Sequence, residues 1–399
     1  MVNDMKNAMN ICTIDDIAII NRGKSKHRPR GDSILYGGNY PFIQTSEIKK
    51  SILHINEYEN TYNEVGLAQS KLWEKGTLCL TIAANIAETG ILDFDACFPD
   101  SVVGIIPKEG MADTIYIKYL MDMFKVYMQQ ISKGTTQDNL SLEKIRKVKF
   151  EIPIYEQQLK IANFLSKYDI LIEKNCKRIK ILEQMAEELY KEWFVRCRFP
   201  EYKDYKFKHE KPKGWVLGTH NDMKIPQDWS FGKVENIGNF SRGKNITKEQ
   251  MIEGNIPVIS AGIEPSGYHN ASNVKGMSLT MSASGANAGY LKYNLEDIWA
   301  ADCSYYQDDS NIWFMYHSLN FIRKAIDNLQ VGSAQPHVYP KNINKLCIMV
   351  PEEKYIKKFN ELVSPVYLEI KRLQEKNKNL EKQRDLLLPR LMSGKLEVK

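Results

Sequence analysis

The strongest constraint on this 399-residue chain is that most of it is written twice. Lys133-Gly134-Thr135-Thr136-Gln137 returns as Val331-Gly332-Ser333-Ala334-Gln335, Ile152-Pro153 as Val350-Pro351, and Leu182-Glu183 as Leu380-Glu381, each pair 198 residues apart. One register therefore runs from about Asp113/Asn311 to Phe194/Met392. Upstream the same landmarks recur in the same order, with loops of different length. Arg22-Gly23-Lys24 matches Arg242-Gly243-Lys244, Asn39-Tyr40-Pro41-Phe42-Ile43 matches Asn255-Ile256-Pro257-Val258-Ile259, and Lys75-Gly76 matches Lys275-Gly276. Two diverged copies of one globular-plus-helix unit predict a pseudo-twofold molecule that presents two similar surfaces with different side chains.

The bulk chemistry narrows the class. With 43% apolar and 10% aromatic residues the chain has material for real cores. Lys+Arg 55 against Asp+Glu 49 gives +6, mildly basic and compatible with a polyanion partner. The 7 cysteines are scattered without a C-x-x-C pair, which points to reduced thiols in a cytoplasm rather than a disulfide frame or zinc site. The start lacks an apolar signal core and no stretch is apolar enough for a membrane span, so the expectation is a cytoplasmic protein without a membrane partner.

Each copy opens with short β-rich runs between Gly/Asn/Pro turns, interrupted by one amphipathic helix, near Ile115–Ile131 and again near Ile312–Leu329. Mixed α+β is the expected class. Behind each globular part lies a long helix. In the first, the seam Ile161, Leu165, Tyr168, Ile172, Asn175, Ile179, Leu182, Ala186, Leu189, Trp193 advances by alternating steps of four and three. The second repeats it as Phe359, Val363, Val366, Ile370, Leu373, Asn377, Leu380, Arg384, Leu387, Leu391. That heptad spacing predicts an antiparallel coiled coil of two helices, each about 60 Å long, with a globular domain at either end. Asn175 and Asn377 interrupt the seams as candidate register-setting residues. The expected order is a first domain at 1–155, a helix at 156–198, a polar connector at 199–228, a second domain at 229–351 and a second helix at 352–399.

A search for catalytic chemistry finds only imitations. Asn39-Tyr40-Pro41-Phe42 resembles the Asn-Pro-Pro-Phe of adenine methyltransferases, but its second residue is wrong and its copy reads Asn255-Ile256-Pro257-Val258. Gly23-Lys24-Ser25 resembles the end of a phosphate-binding loop without the first glycine. The chain reads as a protein with no catalytic residues and no metal site of its own. A self-contained methyltransferase or nuclease, and a scaffold that binds only proteins, stand as the competing readings.

DNA contact fits better. Arg22, Lys24, Lys26, Arg28 and Arg30 bring five cations and no acid to one loop just after a strand, and Arg242 and Lys244 recur at the same point. Such side chains neutralise phosphates, and arginine holds guanine through two hydrogen bonds. Gln44, Thr45 and Ser46 follow the Pro-x-Ile strand, with Ser260 at the matching place. Asn85 and Asn287 sit in small-residue turns, and Gln137, Asn139, Gln335 and His337 in Gly-rich loops. All are candidates for reading base edges, with ordinary turns and solvated loops as the alternative.

The chain resembles the specificity subunits of Type I restriction-modification systems. The resemblance is carried by Gly134-Thr135-Thr136-Gln137-Asp138-Asn139-Leu140-Ser141, then Ile152-Pro153 and the helix-opening Glu156-Gln157. It is carried further by Glu192-Trp193-Phe194-Val195 before Arg198-Phe199-Pro200, and by Leu386-Leu387-Leu388-Pro389-Arg390-Leu391-Met392-Ser393-Gly394-Lys395-Leu396. One departure is that the second copy does not repeat the Glu-Gln opening and has Glu352-Glu353-Lys354 instead. The resemblance implies two target-recognition domains, each reading half of a split double-stranded DNA site, and a helical pair that fixes the unread gap. It also implies docking to two methyltransferase subunits, which bring S-adenosylmethionine and methylate adenine, and to restriction subunits that use ATP and Mg.

Overall fold

The computed structural model describes residues 9–132, 140–212, 223–329 and 337–398. The chain forms two compact units. Unit 1 holds the residues up to Lys177 together with Gln374 onward, and unit 2 holds Arg178–Leu373. Each unit therefore combines one globular domain with a stretch of both long helices. No helix among the described residues is long and apolar enough to cross a membrane.

In unit 1 a five-stranded sheet runs in the order Ala18–Arg22, Val102–Pro107, Leu78–Thr81, Thr89–Leu92, His54–Ile55. Its central strands are apolar on both faces because both faces are covered. Val103, Ile105, Leu78 and Leu80 face Tyr116 and Leu120 of the helix Thr114–Met123. Their neighbours Val102 and Cys79 face Trp73, Phe98 and Ile43 in a second core. Gly104 is required between them, since a Cβ there would lie 2.4 Å from the Trp73 ring. A smaller sheet contains Tyr36–Phe42 beside Ala96–Cys97, paired in parallel at Phe42 and Cys97.

Unit 2 repeats this plan. Its main sheet has the order Ser241–Arg242, Cys303–Tyr306, Ser278–Ser282, Leu291–Asn294, and its smaller sheet joins Ile256–Ile259 to Trp299–Ala300 in parallel. The α+β class and the duplication are thus realised, with one strand more in the main sheet of unit 1.

Two expectations need correction. The amphipathic helix is broken in both units, into Thr114–Met123 and Lys125–Ser132, and into Ile312–Phe321 and Arg323–Asn328. The breaks fall at Phe124 and Ile322, again 198 residues apart, where both residues leave helical backbone and Phe124 turns edge-on to Phe150 at 4.9 Å. Secondly, the connector is more than a polar tether. Phe207–Glu210 pairs with Met223–Pro226, and Phe199 packs on Trp229 at 4.7 Å and Tyr355 at 4.5 Å. Its charged residues alternate with aromatics, which take the inner side. The two helix openings also differ in packing, one position beyond the Glu156-Gln157 pair. Gln158 is buried and donates to the carbonyls of Pro153 at 3.0 Å and Met111 at 3.2 Å, whereas its counterpart Ile356 sits in an apolar core.

The long helices span Tyr155–Tyr190 and Glu353–Met392. Every residue of the two predicted seams is buried or half-buried, while Ile181 and Met185 between them are exposed. The helices pair antiparallel within each unit. In unit 1 Asp169 meets Arg384 and Asn175 meets Asn377, and in unit 2 Arg178 meets Glu369 at 3.0 Å. Asn175 donates to the Asn377 side-chain carbonyl at 2.7 Å, so these two candidates satisfy one another. The Asp169 carboxylate also accepts from the Tyr119 hydroxyl at 2.5 Å. In unit 2 the counterpart of that last bond joins the Tyr367 hydroxyl to His317 Nε2 at 3.1 Å. Burial pushes the His317 imidazole down to about 3, leaving it neutral and able to accept.

Asp169 is 0% exposed and Arg384 20% exposed, so removing the guanidinium strands a carboxylate in the interior. Arg384→Met is expected to cost about 3 kcal/mol by urea unfolding, and adding Asp169→Asn to recover much of it. Purely additive losses would contradict the pairing.

A second tie responds to pH. Glu173 accepts from the backbone N–H of Leu53 at 3.1 Å and of His54 at 2.7 Å, and its other oxygen lies 3.1 Å from His54 Nδ1. The hydrogen bond to Glu173 raises the His54 pKa above the usual 6.5. A raised imidazole pKa adds stability that is complete below 6.5 and fades as pH climbs through the folded value. The stability gap between wild type and Glu173→Gln should therefore be widest in mild acid and narrow on the alkaline side. A gap that widens with pH would refute the assignment.

Candidate nucleic-acid interface

In both units antiparallel pairing brings the same loops to one end of the main sheet. The strand Ala18–Arg22 delivers Gly23, whose N–H donates to Val102 at 2.8 Å, and Lys24, whose N–H donates to Phe98 at 3.1 Å. A Cβ on Gly23 would lie 2.4 Å from the Phe98 and Pro99 carbonyl oxygens, so only glycine passes. Unit 2 is built alike: Gly243 donates to Cys303 and Lys244 to Ala300, both at 2.9 Å, and a Cβ on Gly243 would lie 2.4 Å from the Ala301 oxygen. The glycine of the repeated Arg-Gly-Lys is thus a steric requirement, with an exposed cation on either side of it.

Beyond Gly23 the cationic loop is held by its own polar groups. The N–H groups of Lys26 and His27 both donate to Gln69 Oε1, at 2.6 and 3.0 Å, and Arg28 donates to the carbonyls of Ser25 and His27 at 2.8 Å each. His27 pairs with Asp32 at 2.9 Å. Arg22, Lys24, Lys26, Arg28 and Arg30 all remain exposed. The loop's cations are not free of acids, however. Arg30 forms an ion pair with Asp100, and Arg28 lies 3.9 Å from the same carboxylate.

Arg30 also lines a cleft of about 440 Å³ with Gln44, Thr45, Ala83 and Ala84, floored by Tyr36 and Phe42. Gln44 opens the short helix Thr45–Lys50, and its N–H donates to the Glu47 carboxylate at 3.1 Å. Ser46 donates to the same carboxylate at 2.7 Å. The turn Ala83-Ala84-Asn85 is set by Thr81, whose hydroxyl oxygen accepts from Glu88 N–H at 2.9 Å, and by Ala84 at φ 61. The structure therefore gathers Arg30, Gln44 and Thr45 with the Ala83–Asn85 turn. Gln137, Asn139 and Gln335 lie outside the described residues. The chain re-emerges beside this turn in both units, with Leu140 donating to Ile82 at 3.0 Å and Val338 to Ala283 at 2.9 Å.

Unit 2 assembles a tighter polar cluster. Arg242 pairs with Asp302, which also accepts from the Ser284 hydroxyl at 2.6 Å. The Arg242 guanidinium lies 5.5 Å from the Tyr339 ring centre, and His337 stacks on the other residue of that pair, Tyr339, at 5.6 Å. Arg242 and His337 therefore come together. Ser260 bonds to Ser266 at 3.0 Å, and Asn287 sits half-buried in its own turn. Lys244 is exposed, and its carbonyl accepts from the Trp299 indole at 2.8 Å.

Reading the sequence for cations missed Asp100 and Asp302, and with them Tyr36 and Tyr339. A signal existed: each aspartate stands two residues after the carbonyl that receives the lysine N–H, at Phe98 and Ala300. It is hidden because loop drift takes these positions off the 198-residue register.

The chain matches the Type I restriction modification DNA specificity domain over residues 7–184 and 226–382, and it belongs to that family. It is 27% identical over 392 residues to the Type I restriction enzyme MjaIX specificity subunit of Methanocaldococcus jannaschii, covering 91% of this chain and 88% of the relative. The MjaVIII specificity subunit of the same organism is 21% identical over 392 residues, covering 91% and 87%. Among solved structures, the Type I restriction-modification S subunit from M. genitalium superposes with a TM-score of 0.59 at 16% identity and covers 96% of both chains, a likeness of fold.

Gly23→Ala and Gly243→Ala, each forcing a Cβ against backbone carbonyls, are expected to destabilise their units by about 1–3 kcal/mol. Gly31→Ala in the same cationic loop, with nothing within 4 Å of its Cβ, should melt like wild type. Equal melting temperatures for all three would show that the pinned turn is not a constraint.

Proposed function

We propose that this chain is the DNA sequence-specificity subunit of a Type I restriction-modification complex. Each unit reads one half of a bipartite double-stranded site through the loops at the end of its main sheet. The two long helices set the unread gap and dock two methyltransferase subunits. Those partners carry S-adenosylmethionine and methylate adenine, and restriction subunits with ATP and Mg complete the assembly. The chain itself contributes recognition, not catalysis.

The observation that carries this reading is the duplicated glycine-pinned cationic turn. Its backbone hydrogen bonds correspond in the two units, while the side chains at matching places around it differ: Gln44 and Thr45 in one, Ser260 and Ala261 in the other. A constant frame with variable tips suits two readers of different sequences. The exposed cations supply a salt-dependent attraction to phosphates that favours no sequence.

Replacing residues 1–155 with the matching part of another specificity subunit, and coexpressing the hybrid with the partner methyltransferase, tests the reading by methylation-sensitive long-read sequencing. One half-site should change while the other half and the gap persist. A change in both halves would sink the modular assignment. Methyl transfer by the purified chain alone would instead favour a self-contained methyltransferase.

A further inference from the structure

We propose that Asp100 and Asp302 are positioning residues, each holding one arginine, Arg30 or Arg242, to read a guanine in its half of the DNA site. The inference rests on the specificity-subunit reading and deepens it by naming a base and the residues that select it.

The two carboxylates occupy one place in the fold. In each unit the glycine N–H meets the strand that leaves the hairpin, the lysine N–H meets the carbonyl that precedes it, and the aspartate lies between those anchors. The arginines do not share a place. Arg242 precedes its pinned glycine directly, whereas Arg30 comes from the far end of a longer loop and the positional match to Arg242 is Arg22. Two non-equivalent arginines thus converge on equivalent aspartates. The shared element is the carboxylate and the guanidinium it fixes.

The chemistry favours a base over a phosphate. A guanidinium presents five N–H donors in a planar fork, and one carboxylate cannot occupy them all. Arg30 and Arg242 keep 48% and 38% of their side-chain surface open, which leaves room for a second partner beside the aspartate. Two free donors of such a fork match the O6 and N7 acceptors of guanine in the major groove. In unit 2 the plane is fixed further by Tyr339, and the aspartate by Ser284. An aspartate beside the guanidinium repels an approaching phosphate but not a neutral guanine edge. Lys24, Lys26 and Lys244, which form no ion pair among the described residues, suit the phosphates better.

The test uses the purified complex with its methyltransferase partner and duplexes in which each base pair of each half-site is replaced in turn. Wild type is expected to lose about tenfold or more in methylation rate at one G·C pair in each half. Asp302→Asn and Arg242→Lys should both erode that discrimination at the same pair of the second half-site and leave the first untouched. Arg242→Lys keeps the charge and lacks the fork, so a phosphate contact would survive it. Asp100→Asn and Arg30→Lys should act only on the first half-site, an independent arm should one unit tolerate its changes poorly. A half-site motif without a G·C pair overturns the proposal, as do variants that slow methylation equally on every duplex. A wild-type complex with no sequence preference would overturn the specificity reading itself, an outcome separable from both.

Discussion

Among the ties that fasten each globular domain to the long helices, one buried contact recurs at the same pair of positions in both units. In unit 1 it is the Tyr119 hydroxyl on Asp169, and in unit 2 it is Tyr367 on His317, with Tyr367 also stacked on Trp313 at 3.5 Å. These contacts join the long helices to Thr114–Met123 and Ile312–Phe321, whose other faces carry the main sheets. The orientation of a sheet relative to its own helical segment is set there, and the loops at the sheet's end inherit it. An interior packed at crystal density passes such an orientation on without slack. The positions are kept although the chemistry is exchanged, a tyrosine hydroxyl meeting a carboxylate in one copy and an imidazole in the other.

That exchange bears on how the helices find their register. An apolar seam of heptads is satisfied almost as well after a slip of seven residues, because leucine and isoleucine accept one another. A polar group in the seam removes the degeneracy, since a displaced Asp169 or Asn175 would be buried without its partner. Unit 1 holds both polar matches, Asn175 with Asn377 and Asp169 with Arg384. The corresponding seam positions in unit 2 are Leu373 with Ile179, and Tyr367 with Ala186. There the aromatic cluster of Tyr190, Phe194, Trp313, Phe359 and Tyr367 performs the matching by shape.

The sequence showed most where a rule repeats over many residues. Alternating steps of four and three are dictated by helix geometry, and the predicted seams are the buried ones. Gly23 and Gly243 were legible for a different reason: a backbone carbonyl at 2.4 Å from a would-be Cβ excludes every other residue in both copies. What stayed hidden depends on single contacts. The breaks at Phe124 and Ile322 interrupt stretches whose apolar spacing remains helical. The connector's aromatics were obscured by the lysines between them. Asp100 and Asp302 stayed hidden because an acid on a cationic loop gains meaning only once its arginine is seen beside it.

The separation between frame and tips explains how such a chain can diverge without losing its fold. The pinned glycine, the hairpin that carries the aspartate and the helix beneath the sheet are bound by backbone hydrogen bonds and burial, and they coincide in the two copies. The segments between them differ in length, and loop length costs little free energy, roughly 0.6 kcal/mol per doubling. An arginine reaching the aspartate from the strand end in one unit, and from across a longer loop in the other, is what such tolerance permits. Specificity can then drift through loop length and side-chain identity while the geometry that presents it is conserved by sterics.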